Sequence, residues 1–193
     1  MNHTMNINLY DTILDAPIIG TVKDEESLNS CLQNENIKVV FLLFGNILTI
    51  EEYVSRIHDA GKIAMVHLDV MNGLQCARDI SVDFVKNATG ADGIITTHPN
   101  CVRRAKELGL WTVLRLFVLD SKSLENVSKQ AAYAPDFLEI LPGVLPDMIQ
   151  KITEITEVPL LAGGLIAEKR HVVSALQAGA VGISASSQQI WNL

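Results

Sequence analysis

Four ionisable residues and a few very small ones carry most of the chemistry this sequence offers. His67 and Asp69 stand two apart in the apolar segment 63–69. Arg115 lies alone between Leu114 and Leu116, and Glu139 between Leu138 and Ile140. Side chains of an extended chain alternate between faces, so each of these points away from its apolar neighbours, and His67 and Asp69 share a face. His67 with Asp69 could act as general acid and base. The pair also supplies two ligand types for a metal, with no third specified. Alternatively, the two only satisfy each other and nearby backbone. Arg115 is suited to an anion, or to a structural ion pair with Glu139.

The small residues cluster where apolar runs end. Gly163-Gly164 closes the run 158–162, Ser184-Ala-Ser-Ser187 closes 180–184, and Pro142-Gly143 follows the run holding Glu139. Tiny side chains at a strand's exit let a ligand reach the backbone N–H groups. The glycines could equally be turn residues, but the serines beside them favour an anion site. Thr96, Thr97 and His98 end the run 93–97. No lysine falls at the inner end of any strand, which leaves a Schiff-base aldolase unsupported. No Cys–His pair or serine with a base is evident, so no catalytic residue is assigned.

The elements that must hold these residues alternate regularly. Expected strands cover 17–20, 38–44, 63–69, 93–97, 111–119, 136–141, 158–162 and 180–184. Helices between them begin near Asp24, at a capping box on Thr49-Ile-Glu-Glu52, at Asp79, at Pro99, after a capping Asp120, at Pro146 and at Lys169. Gly61, Gly90 and Gly179 mark helix ends. Strands apolar on both sides imply a parallel sheet between helices, and eight units in strict order favour a closed TIM-like (β/α)8 barrel. Function then belongs at the C-terminal ends of the strands, and phosphate groups at the last two.

The barrel is minimal. Residues 1–193 form a single domain, with 1–15 as an N-terminal arm or short helix. At 193 residues the chain falls just below the roughly 200 usual for this fold. After the last strand only 188–193 remain, a truncated last helix. The strand edge and apolar surface left open there could be covered by the arm or by another subunit, hence a possible homo-oligomer.

Composition limits the partners. A net charge of −7 opposes nucleic-acid binding unless a local basic patch exists. Arg103, Arg104 and Lys106, on the helix after the fourth strand, are the RNA-binding candidates, with Lys62, Lys169 and Arg170 elsewhere. The alternative for that helix is an ordinary solvated face. Apolar runs are too short to span a membrane, and no secretory signal is visible. Cys31, Cys76 and Cys101 are scattered, without metal-like spacing, and read as thiols in a reducing cytoplasm. No cofactor and no metal are implied.

Several segments taken together are more specific than any one. Met65-Val-His-Leu-Asp-Val-Met-Asn-Gly-Leu74, Gly93-Ile-Ile-Thr-Thr97, Arg115-Leu-Phe-Val-Leu-Asp120, Pro135-Asp-Phe-Leu-Glu-Ile-Leu-Pro-Gly-Val144 and Ala162-Gly-Gly-Leu-Ile166 resemble the glycerol-3-phosphate-responsive antiterminator family (GlpP), also called glycerol uptake operon antiterminators. The likeness runs in register from about residue 17 to 191. It implies a non-enzymatic regulator on a TIM-like barrel. Such a protein binds glycerol 3-phosphate and acts on the leader mRNA of glycerol-metabolism operons to prevent premature termination. By position, His67, Asp69, Arg115 and Glu139 would line the ligand pocket. Gly143, Gly163, Gly164, Ser184 and Ser186 would surround phosphate and glycerol.

Two places depart from the pattern. His98-Pro99-Asn100 replaces a basic residue followed by serines, and Ala185-Ser186-Ser187 replaces a Thr-Ser-Lys segment. Both changes remove a cation from the anion site. The same fold also hosts enzymes, so an isomerase or lyase acting on a small phosphorylated substrate is the alternative. A ligand-responsive scaffold for another protein is a third.

Overall fold

The computed structural model describes residues 8–193; the first half of the expected N-terminal arm lies outside them. Eight parallel strands close into a barrel in sequence order: β1 (Ile18–Val22), β2 (Val39–Leu42), β3 (Ile63–His67), β4 (Gly93–Thr96), β5 (Trp111–Phe117), β6 (Phe137–Leu141), β7 (Leu160–Gly163) and β8 (Gly182–Ala185). The helices are α1 (Leu9–Asp15), α2 (Glu25–Gln33), α3 (Ile50–Asp59), α4 (Asp79–Thr89), α5 (Pro99–Glu107), α6 (Ser121–Glu125), α7 (Val127–Ala131), α8 (Pro146–Ile155), α9 (Lys169–Gln177) and α10 (Gln188–Trp191). No described helix is long and apolar enough to cross a membrane.

The period of two along each strand divides the core in two. Val40, Leu42, Ala64, Val66, Ile94, Leu114 and Leu138 face the helices. Ile19, Phe41, Met65, Ile95, Val113, Phe137 and Leu161 fill the lumen. Leu9 and Ile13 of α1 join this inner cluster, so the helix plugs the barrel's N-terminal end. The plug leaves the opposite end as the open mouth. Helix ends follow local chemistry: Asp24 and Asp120 each form a capping box with the serine three residues on, and Gly90 ends α4 in the left-handed region at φ 68°. The capping box expected at Thr49 does not form. Its hydroxyl turns back to accept the Asn46 N–H at 3.1 Å, and Thr49 itself is already helical in backbone.

Barrel closure changes the picture of the C-terminus. β1 pairs directly with β8, Ile18 opposite Ile183, so no strand edge is open there. The last helix is indeed a stub, but it buries Trp191, whose Nε1 donates to the Ala185 carbonyl at 2.7 Å. Asn34 and Asn36 hold the stub through hydrogen bonds to Asn192 and Trp191. The stub thus covers part of the gap that suggested a second subunit, and a cavity lined by Pro17, Ile18, Val172, Leu176, Trp191 and Leu193 remains beside it.

Several strand ends shift by one or two residues from expectation, and two of the shifts change what reaches the mouth. β1 runs on past Gly20 to Val22. β3 stops at His67, and Leu68–Val70 turns into a 3-10 helix.

Candidate functional site

A cavity of about 210 Å³ opens at the C-terminal ends of β1, β2 and β5–β8. Arg115 and Glu139 are register partners on β5 and β6, and the Arg115 Nε donates to Glu139 Oε2 at 2.6 Å. Ser184 on β8 donates its hydroxyl to the other Glu139 oxygen. That bond crosses in front of β7 because Gly163 has no side chain: a Cβ there would run into Ser184 Oγ and fall 2.6 Å from Glu139 Oε1. Glu139 is fully buried, and the chain Arg115–Glu139–Ser184 stiffens this side of the mouth.

Several donors facing the cavity have no partner. Among the described residues, Arg115 uses only its Nε in a hydrogen bond, leaving the terminal guanidinium nitrogens free. Thr21 is 7% exposed and lines the cavity, yet its hydroxyl has no hydrogen-bond partner. Lys23, one step beyond β1 on the same face, lines the cavity as well and is exposed. A buried hydroxyl without a partner carries a desolvation cost that a ligand oxygen can relieve. An ammonium, a guanidinium and the Thr21 and Ser186 hydroxyls around one small space suit a compact anion.

On the other side of the mouth, the Asp69 carboxylate is satisfied internally. Asp69 accepts from Thr96 Oγ1 at 2.8 Å and from both the Thr97 N–H and hydroxyl at 2.7 Å. Burial works to raise its pKa, but the Thr97 and Thr96 donors outweigh it and hold the carboxyl below its ordinary value. His67 is buried, and its Nδ1 accepts the Asp69 N–H at 3.3 Å. Burial and then the Arg115 guanidinium push the imidazole down to about 4, against the opposing pull of Asp69 and Glu139. At neutral pH it is uncharged.

Of the nine residues expected around a ligand, Arg115, Glu139, Gly164, Ser184 and Ser186 line the cavity. Gly163 makes room for the Glu139–Ser184 bond. Gly143 stands behind the wall, its N–H donating to the Gly163 carbonyl at 2.6 Å. His67 and Asp69 do not line the cavity; Asp69 leaves the alternation because the chain turns at Leu68, and its carboxylate turns to Thr96 and Thr97 instead. Thr21 and Lys23 were missed. Ending β1 at Gly20 placed Lys23 at a helix cap, whereas the alternation Ile19, Thr21, Lys23 brings a lysine to the inner end of a strand. The expectation that no strand end carries one is therefore corrected.

The basic helix is less free than its sequence suggests. Arg104 pairs with Asp83 at 2.6 Å and Glu107 at 2.9 Å, and Lys106 lies 3.7 Å from Asp136. Arg103 alone of the three has no acidic partner among the described residues. Lys62 is buried, its ammonium donating to the Asn34 and Ile37 carbonyls. Arg170 pairs with Glu168.

The fold is a closed (β/α)8 barrel with a small cavity at its mouth, lined in part by Lys23 and Arg115. The model of the glycerol-3-phosphate responsive antiterminator family matches residues 18–191. The chain belongs to this family, which is one of regulators. It is 38% identical over 186 residues to the uncharacterized protein YgcP of Escherichia coli K12, covering 96% of both chains. Among solved structures, it resembles the glycerol uptake operon antiterminator regulatory protein from Listeria monocytogenes (TM-score 0.86, 28% identity, 91% of this chain and 94% of that one). It likewise resembles a glycerol uptake operon antiterminator-related protein from Thermotoga maritima (TM-score 0.80, 33% identity, 91% and 98%).

Proposed function

We propose that this chain is a cytoplasmic antitermination regulator that binds glycerol 3-phosphate in the cavity and acts on leader mRNA of glycerol-metabolism operons. The observation that carries the ligand reading is the set of unpartnered donors on the cavity wall, above all the buried Thr21 hydroxyl. The space is smaller than the roughly 300 Å³ at which drug-sized pockets begin, as a three-carbon phosphate ester requires. Lys23 and the free Arg115 nitrogens suit the phosphate, the hydroxyls of Thr21 and Ser186 can exchange hydrogen bonds with glycerol oxygens, and Ser184, whose proton goes to Glu139, can accept from a glycerol hydroxyl. The RNA step rests on family membership. The excess of acidic residues means that RNA contact depends on a local group of cations, and α5 supplies only Arg103 unpaired. An enzymatic reading is less well supported: of the acid–base groups it would use, His67 and Asp69 stand outside the cavity, and Glu139 has both oxygens engaged by Arg115 and Ser184.

Calorimetric titration with glycerol 3-phosphate, glycerol and inorganic phosphate tests the ligand. The ester should bind best, and Lys23→Ala should weaken it by about 1.5–3 kcal/mol, roughly 10- to 150-fold, as expected for a hydrogen bond to a charged group. Leader RNA in a gel shift at low salt should then respond to the ester. Absence of any heat with the ester would remove the ligand, and RNA binding indifferent to the ester would remove the switch.

A further inference from the structure

Away from the cavity, three different donors converge on the far side of the mouth. They are the Asp69 carboxylate beyond β3, the Cys76 thiol in the β3–α4 loop, and the His98 imidazole at the start of α5. One ligand atom from each lies within 4.8 Å of the other two. Three separate segments thus bring oxygen, sulfur and nitrogen together, although their spacing in sequence follows no metal-binding motif.

We propose that Asp69, Cys76 and His98 form a binding site for a borderline divalent cation of the zinc kind. A mixed thiolate, imidazole and carboxylate set is the choice of such an ion, and not of calcium or magnesium, which take oxygen. Two of the donors are otherwise idle. The His98 imidazole makes no hydrogen bond among the described residues, and Cys76 has only a 3.5 Å contact to the Asp69 carbonyl. Asp69 is held by Thr96 and Thr97, the kind of outer support that orients a ligating carboxylate. The Cys76 loop is also braced: Ala77 sits at φ 60°, unusual for a residue with a Cβ, and its carbonyl accepts from Asn100 Nδ2 at 2.7 Å.

Tetrahedral zinc places its ligand atoms about 3.5 Å apart, so the triad must close by roughly an ångström. Cys76 is exposed and on a loop, so it is the donor that can move. On binding, the Cys76 thiol releases its proton to solvent as the sulfur–metal bond forms. One carboxylate, one thiolate and a neutral imidazole carry two negative charges, matching the ion. With three protein ligands, the fourth position stays open to water.

Titration of the purified chain with cobalt(II), followed by zinc(II), tests the site. One equivalent of cobalt should produce thiolate-to-metal charge-transfer absorption in the near ultraviolet, which zinc then abolishes. Cys76→Ser should lose that absorption while keeping the wild-type thermal unfolding and its response to glycerol 3-phosphate. Thr97→Val, which removes one support of Asp69, should weaken cobalt binding about tenfold. No charge-transfer band in the wild type, or an undiminished band in Cys76→Ser, would overturn the proposal.

Discussion

The two sides of the barrel mouth use similar residue types to opposite ends. On the β3–β4 side, Asp69 is half-buried and surrounded by donors within its own protein: two threonine hydroxyls and an N–H. On the β5–β8 side, Glu139 is fully buried and also satisfied, by Arg115 and Ser184. The difference lies in what surrounds each carboxylate. The donors around Asp69 are neutral and end there. Those around Glu139 continue into a cationic wall, where terminal guanidinium nitrogens, Lys23 and the Thr21 hydroxyl await acceptors. A satisfied carboxylate thus serves as an anchor on one side and as the brace for the cavity wall, the proposed ligand site, on the other.

The sharpest way to break this contrast is to remove the brace. Arg115→Ala leaves Glu139 buried beside Ser184 with no cation. Breaking one partner of a buried pair costs about 3–5 kcal/mol, so denaturant unfolding should show a loss of that order. Thr97→Val on the other side removes one hydrogen bond to the Asp69 carboxylate, which keeps the Thr96 hydroxyl and the residue-97 N–H, and should cost less, about 1.5 kcal/mol. Equal losses for the two variants would mean that the sides do not differ as described.

A smaller effect, of opposite sign, is expected at Thr21. Its hydroxyl is buried and unpartnered in the free protein, so Thr21→Val should raise stability by about 1 kcal/mol while lowering affinity for glycerol 3-phosphate. Thermal unfolding and calorimetry on the same samples read both quantities. A variant that loses stability without losing affinity would show that the hydroxyl serves the fold instead of the ligand.

How this mouth could be read from sequence depended on what ended each strand. The barrel was legible because eight apolar runs alternate with capped helices and glycine-terminated turns. The lumen positions of Arg115 and Glu139 followed from their apolar neighbours alone. Thr21 and Lys23 were not found because Gly20 and Thr21 interrupt the apolar run, although the period of two continues through them. Asp69 misled in the reverse direction: its alternation looks like strand, but the chain is already turning. The Glu139–Ser184 bond could not be read at all. It spans 45 positions in sequence and depends on the register that barrel closure imposes, with Gly163 vacating the space between.

The smallest expected effect concerns the β3–β4 side, and it separates a thiol open to solvent from two enclosed ones. Burial pushes Cys31 and Cys101 up to about 11, so at pH 7 roughly one part in ten thousand of each is thiolate, the reactive form. Both are also out of a reagent's reach, whereas Cys76 is exposed. Iodoacetamide on the native chain should therefore add a single label, at Cys76, with the other two reacting only after unfolding. Because Cys76 touches nothing in the core, labelling should change stability by less than about 0.5 kcal/mol and leave the response to glycerol 3-phosphate intact. Mass spectrometry counts and locates the labels, and two or three on the folded chain would contradict the enclosure of Cys31 and Cys101. Repeating the reaction with zinc(II) adds the finer comparison: protection of Cys76 joins it to Asp69 and His98, since a metal-bound sulfur is no longer free to attack the reagent.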